Sequence, residues 1–136
     1  MLKIESIAQP RRQVARKGPG QKVIIIGDDK GLISLLRYAL DSYGLEVIFC
    51  DNGYEALYGS MIGEFDIVVT DYDIPGINGL ELTRRLRKHF PLALIIGMSG
   101  ADRGVDFLRA GANDFLRKPF VPYRLAMMID GGDILS

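Results

Sequence analysis

From Gln21 onward the chain alternates short apolar runs with segments whose apolar residues recur every three or four positions, and this alternation constrains its fold more than any other feature. Residues 22–27, 46–50, 65–70, 93–98 and 114–116 suit strands. Most are continuous apolar runs, as expected where helices cover both faces of a sheet. Between them, Leu32, Leu36, Leu40 and Tyr43 fall at i+4 and i+3 spacing, as do Leu82, Leu86 and Phe90, while Leu57 and Met61 form a shorter stripe. A fourth helix is expected around 102–110 and a fifth around 123–129, the latter ended by Gly131-Gly132. Strands and helices in strict alternation build a parallel sheet, so the expected fold class is α/β with a doubly wound, five-stranded sheet.

At 136 residues, with 48% hydrophobic and 25% charged content, one compact domain is the natural size. The apolar runs at 23–26 and 67–69 are far shorter than the roughly 18 residues a membrane span requires, and the N-terminus lacks the apolar core of a signal peptide. A soluble, cytoplasmic protein with no membrane partner is expected. The lone Cys50, inside the run Val47-Ile48-Phe49-Cys50, reads as a small buried hydrophobe. Of the 17 Lys/Arg and 17 Asp/Glu, residues 1–22 hold six bases and a single acid, Glu5, so a basic segment precedes an acidic body. Its Pro and Gly content suits a flexible extension over 1–20 better than a nucleic-acid contact, and 21–136 is expected to be the folded domain. No helix-turn-helix or zinc-finger spacing occurs, and the acidic body disfavours nucleic acid.

A doubly wound sheet binds ligands beyond the carboxyl ends of its strands, where the strand order reverses. At those ends the sequence places Asp28 and Asp29 after the first strand, Asp71 after the third, Ser99 after the fourth and Lys118 after the fifth. Three carboxylates brought together repel one another unless a cation neutralises them or a lysine pairs with one. Mg2+ suits such a set, because it takes one or two carboxylates, keeps several waters and completes its shell with phosphate oxygens. Asp28, Asp29 and Asp71 are its expected ligands, joined by a backbone carbonyl, that of Asp73. Asp28-Asp29 also suit the start of a helix, where carboxylates cap well.

Over residues 21–129 the chain resembles the receiver domain of bacterial response regulators in two-component signalling, of the chemotaxis type. The likeness rests on the acidic pair closing Val23-Ile-Ile-Ile-Gly-Asp-Asp29, and on Asp71-Tyr-Asp-Ile-Pro-Gly-Ile-Asn-Gly79, close to the family's Asp-x-x-x-Pro-Gly-x-Asp-Gly. Ser99 followed by Gly100 fills the Ser/Thr-Ala position, and Gly111-Ala-Asn-Asp-Phe-Leu-Arg-Lys-Pro-Phe120 matches the segment around the family's Lys-Pro-Phe. The resemblance implies a flavodoxin-like strand order, 2-1-3-4-5. It also implies phosphoryl transfer from the phosphohistidine of a sensor histidine kinase or phosphotransfer protein to Asp71, assisted by Mg2+, Lys118 and the Ser99 hydroxyl. Ser99 and Phe115 would form the conformational switch, and a cis Lys118–Pro119 bond is common in the family. With no effector module after Ser136, output is expected through a downstream protein or a homodimer on the face of the fourth helix, fifth strand and fifth helix. The domain would then be a signalling module with at most slow self-catalysed chemistry, not an enzyme.

Several positions depart from the family. Gly27 stands where Val or Ala is usual and Gly97 interrupts the fourth strand, both read as weak points. Tyr72 replaces an aliphatic residue beside Asp71, Asn78 replaces Asp as a helix cap, and 99–118 is short. His89 suits a helix C-terminus rather than a ligand. Three other readings compete: a haloacid-dehalogenase-like phosphatase using Asp71 and Asp73, a flavodoxin-like cofactor binder, and a degenerate receiver that is no longer phosphorylated. The first places its Asp-x-Asp pair after the third strand rather than the first. The second would need a phosphate-cradling loop where two carboxylates stand.

Overall fold

The computed structural model describes residues 21–62 and 65–130. In chain order the elements are β1 (Lys22–Ile26), α1 (Lys30–Asp41), β2 (Glu46–Cys50), α2 (Gly53–Ile62), β3 (Ile67–Asp71), α3 (Gly79–His89), β4 (Leu94–Ser99), α4 (Gly104–Ala110), β5 (Asp114–Arg117) and α5 (Pro122–Asp130). All neighbouring strands pair in parallel in the order β2-β1-β3-β4-β5. The order reverses between β1 and β3, which sets the ligand crevice at their carboxyl ends.

The continuous apolar strands follow from two buried faces. On one face Val23, Ile25, Val69 and Ile96 pack against Leu36 and Leu40 of α1 and Leu125, Ala126 and Ile129 of α5. On the other, Ile24, Ile26, Val68 and Ile95 meet Leu57 of α2, Leu82 and Leu86 of α3, and Phe107 of α4. Every residue of β3 and β4 is buried as a result. Local chemistry ends the helices as expected from the side chains: Asn78 caps α3 by accepting from the Glu81 N–H at 2.9 Å, and His89 closes it with Nδ1 3.0 Å from the Arg85 carbonyl. Gly111, with φ of 114°, terminates α4 in the left-handed conformation that glycine tolerates.

Differences from the expected boundaries have physical causes. Phe65 lies before β3 and packs edge-on against Phe90, which stands just past α3 (4.8 Å, 77°). Tyr43 lies beyond α1 yet packs on the α1–α5 face. α4 begins at Gly104 rather than 102 and spans 7 residues, because the chain from Gly100 to Arg103 forms a loop. Gly27 falls just outside β1. The expectations for 1–20, for the Met61 side chain and for Gly131-Gly132 fall outside the described residues. Among the described residues no helix is long and apolar enough to cross a membrane.

Gly97 is required rather than merely tolerated. A Cβ there would stand 2.2 Å from the Phe107 ring, which is fully buried over this point of β4. Phe107 in turn stacks on Phe115 of β5, with ring centroids 5.6 Å apart. At the opposite end of the sheet, Arg87 of α3 ties four segments together. Its guanidinium donates to the carbonyls of Gly111, Phe90 and Pro91 and, at 2.7 Å, to Asn113 Oδ1, which also accepts from the Ile95 N–H. Burial holds the Arg87 pKa below its ordinary value, although the network keeps the charge bonded.

The two glycines flanking the crevice therefore separate in a stability measurement. Gly97→Ala is expected to destabilise the protein by about 1–3 kcal/mol through overpacking against Phe107. By contrast, a Cβ at Gly27 meets only the Asp71 Cβ, at an ordinary 3.9 Å. Gly27→Ala should be neutral or stabilising by up to about 1 kcal/mol. Urea unfolding of both variants checks the contrast.

Candidate functional site

Asp71 is the last residue of β3 and is buried, with 5% of its surface exposed. An isolated carboxylate in that position would be strongly penalised, and its environment supplies two donors. Lys118 Nζ lies 2.5 Å from Oδ2, and the Asp73 N–H donates to Oδ1 at 3.2 Å. Lys118 reaches across from the residue after β5, where its N–H donates to the Ser99 carbonyl at 2.8 Å and a cis bond joins it to Pro119. The start of α3 closes tightly on this point: a Cβ at Gly79 would stand 2.3 Å from the Asp71 carbonyl oxygen, so only glycine fits. Gly79 thus has a packing role that its place in the motif did not reveal.

Ser99 ends β4 beside the pair, almost fully buried, and its Oγ accepts from the Ala101 N–H at 3.0 Å. Phe115 is half-buried on the α4 side, stacked on Phe107 and 3.3 Å from where a Cβ at Gly104 would stand. Asp28 and Asp29 follow β1 on exposed backbone. Asp29 is the N-cap of α1, its Oδ1 accepting from the Leu32 N–H at 3.1 Å. The sequence leaves both capping and metal binding open for this pair, and the structure shows the cap at Asp29.

Among the described residues, no group of three acidic, His or Cys side chains is gathered closely enough to hold a metal ion. Lys118 engages one oxygen of Asp71, and the Leu32 N–H engages one oxygen of Asp29. The donors nonetheless suit a hard cation. β1 and β3 are adjacent, and a Cβ at Gly27 would lie 3.9 Å from the Asp71 Cβ, so Asp28 directly follows the residue that faces Asp71. Oxygen-only donors on a short loop favour Mg2+ over softer metals. The backbone of Asp73 faces Asp71 through its N–H, while its carbonyl, the expected ligand, has no part in that contact.

Two cationic contacts had no sequence signal. Arg103, the N-cap residue of α4, lays its guanidinium 3.5 Å over the Tyr72 ring centroid. Arg117 Nε donates to the Gly100 carbonyl at 2.9 Å. Both pin the loop that follows Ser99, and both depend on tertiary approach rather than on spacing in the chain.

Comparison with known proteins decides the family. A family model described as the response regulator receiver domain matches residues 23–130. The chain belongs to the response regulator receiver family. It is 34% identical over 112 residues to the transcriptional regulatory protein FixJ of Bradyrhizobium diazoefficiens, covering 79% of this chain and 54% of FixJ. A putative response regulator from Chloroflexus aurantiacus superimposes with a TM-score of 0.73 at 30% identity, covering 83% and 99% of the two chains. At 20% identity, and therefore as a likeness of fold alone, the Ssk1 receiver of Saccharomyces cerevisiae, solved with the histidine phosphotransfer protein Ypd1, superimposes with a TM-score of 0.75 over 83% of this chain and 88% of that one. The chain spans about half the length of several curated relatives it matches. Receivers are signalling domains of two-component systems, and the flavodoxin-like order 2-1-3-4-5 is that of this receiver.

Cys50, expected to be buried, is only partly so at the end of β2, where its carbonyl accepts from the Gly27 N–H at 3.2 Å. Burial, with the nearby charges of Glu55 and Asp51, pushes its thiol up to about 11 from 9.0. Fewer thiolates at a given pH outweigh their greater nucleophilicity, so reaction with an aromatic disulfide reagent at pH 8 should be roughly tenfold slower than for an unperturbed thiol. Urea should restore the ordinary rate, which a stopped-flow comparison checks.

Proposed function

We propose that Asp71 is a phosphoryl acceptor and that its phosphorylation changes the conformation of the β4–α4 region to signal to a partner. The observation that carries this reading is the buried Asp71 carboxylate at the end of β3, paired with Lys118 from the end of β5. A carboxylate oxygen of Asp71 attacks phosphorus, the bond from phosphorus to the donor imidazole nitrogen breaks, and the imidazole departs with a proton. Bound Mg2+ would neutralise phosphoryl charge, held by Asp28, Asp29 and Asp71 with a backbone carbonyl such as that of Asp73. Lys118 is positioned to follow the negative charge from the carboxylate to a phosphoryl oxygen, a task suited to a flexible ammonium. The Asp73 N–H orients the attacking carboxylate through Oδ1.

Ser99 would then donate its hydroxyl proton to the new phosphoryl oxygen while Oγ keeps accepting from the Ala101 N–H, moving the loop inward. Phe115 stands behind that loop, and its rotation toward the space left by Ser99 would unstack it from Phe107 and change the outer surface of α4, β5 and α5. That surface exposes Val105, Val121 and Tyr123. A downstream protein or a second copy of the chain is the proposed reader there. The proposed donor is a sensor histidine kinase or a phosphotransfer protein, in keeping with the Ssk1 receiver having been crystallised with Ypd1. A cytoplasmic setting goes with such a donor. Autodephosphorylation would be slow and self-catalysed.

Incubation with acetyl phosphate and Mg2+, followed by intact mass, is expected to give a single phosphoryl adduct that Asp71→Asn abolishes. Lys118→Ala should slow its formation roughly 100-fold, the scale of losing one positioned electrostatic donor. Retention of the adduct in Asp71→Asn would overturn the reading. Steady turnover of simple phosphate esters would favour the phosphatase alternative built on Asp71 and Asp73.

A further inference from the structure

We infer that Arg103 is a positioning residue, a brake that holds the β4–α4 loop in its resting place by stacking on Tyr72; this rests on the phosphoryl-acceptor reading above. Tyr72 directly follows Asp71 and is fixed to the sheet and to α3. Its N–H donates to the Met98 carbonyl at 3.0 Å, and its own carbonyl accepts from the N–H groups of Ile74 at 3.2 Å and Gly79 at 3.0 Å. Its ring is half-buried against the α3–α4 face. The guanidinium of Arg103, 3.5 Å over that ring, belongs to the other side of the crevice, where α4 begins.

A ladder of short hydrogen bonds connects Arg103 to the switching hydroxyl. The Ala101 N–H donates to Ser99 Oγ at 3.0 Å, and the Ala101 carbonyl accepts from the Arg103 N–H at 3.0 Å. Turning the Ser99 hydroxyl toward a phosphoryl group on Asp71 pulls on this ladder while Tyr72 stays held, so the stack is the interaction that must slide. It favours the resting arrangement and opposes the phosphorylated one.

Two further observations fit a residue poised between arrangements. Arg103 makes no side-chain cap to α4, although it occupies the cap position and its carbonyl accepts from the Phe107 N–H at 2.9 Å. Its Nε is buried and has no hydrogen-bond partner among the described residues. A buried donor without an acceptor disfavours the state that contains it, which keeps the brake releasable. Arg117 Nε, bonded to the Gly100 carbonyl at 2.9 Å, is a second tether on the same loop, so removing Arg103 loosens the resting state without abolishing it.

The test is titration of the whole chain with beryllofluoride, a phosphoryl mimic, at fixed Mg2+, read from backbone amide shifts. Arg103→Ala is expected to lower the half-saturating concentration roughly 2- to 10-fold, the range that follows when a cation–π interaction is removed from one of two states. Tyr72→Leu should do the same, and the double variant should gain no more than either single change, because both remove the same stack. Arg103→Lys, which keeps a charge over the ring, should fall between. A merely structural role would lower the melting temperature without moving half-saturation. Unchanged or weakened mimic binding by Arg103→Ala, with native shifts retained in β1 and β2, would overturn the inference, as would additive effects in the double variant. If the unaltered chain binds no mimic, the phosphoryl-acceptor reading itself fails and takes this inference with it.

Discussion

The ion pair between Asp71 and Lys118 is the constraint on which the rest of the site depends. The two residues leave strands that are not neighbours, since β4 lies between β3 and β5. Their meeting requires the three strand ends to be level, and the Lys118 N–H bonded to the Ser99 carbonyl at 2.8 Å levels them. Burying a carboxylate carries a desolvation penalty that only a close partner offsets, so removing either charge strands the other. The pair is weak evidence for stability and strong evidence for positioning. It holds a carboxylate and a lysine ammonium together in a crevice that the fold had already placed at its topological switch point.

Much of this is legible in the chain because its signals are local or periodic. Strand runs such as Val23 to Ile26 declare burial on both faces, the Leu82–Leu86 stripe declares the buried side of α3, and Asn78 declares a helix start. The positions of Asp71, Ser99 and Lys118 follow from where runs end. At Asp28-Asp29 the chain carries two signals at once, because Asp29 also has the right geometry to cap α1. Gly97 misleads for a related reason. Its purpose lies in Phe107, ten residues away and in another element, so in sequence it resembles a defect. Arg87 and Arg103 carry no pattern at all, since each acts on segments that only the folded chain brings near.

These non-local contacts divide the domain by task. The far end of the sheet is locked by Arg87 and Asn113, which fasten the 111–113 turn to α3 and β4. The near end is built from contacts that can be exchanged: a hydroxyl on a neighbouring amide, a guanidinium on a ring, one aromatic stacked on another. A rigid end and an exchangeable end suit a switch, because a small displacement at Asp71 then moves α4 rather than spreading through the sheet.

The central claim is that Asp71 carries the phosphoryl group and Lys118 accompanies it. A crystal structure of the protein with Mg2+ and beryllofluoride tests it most directly. The account predicts beryllium bonded to a carboxylate oxygen of Asp71, Lys118 Nζ within hydrogen-bond distance of one fluorine, and the Ser99 hydroxyl on another. Beryllofluoride absent from Asp71, or bound there with Lys118 turned away, would contradict it.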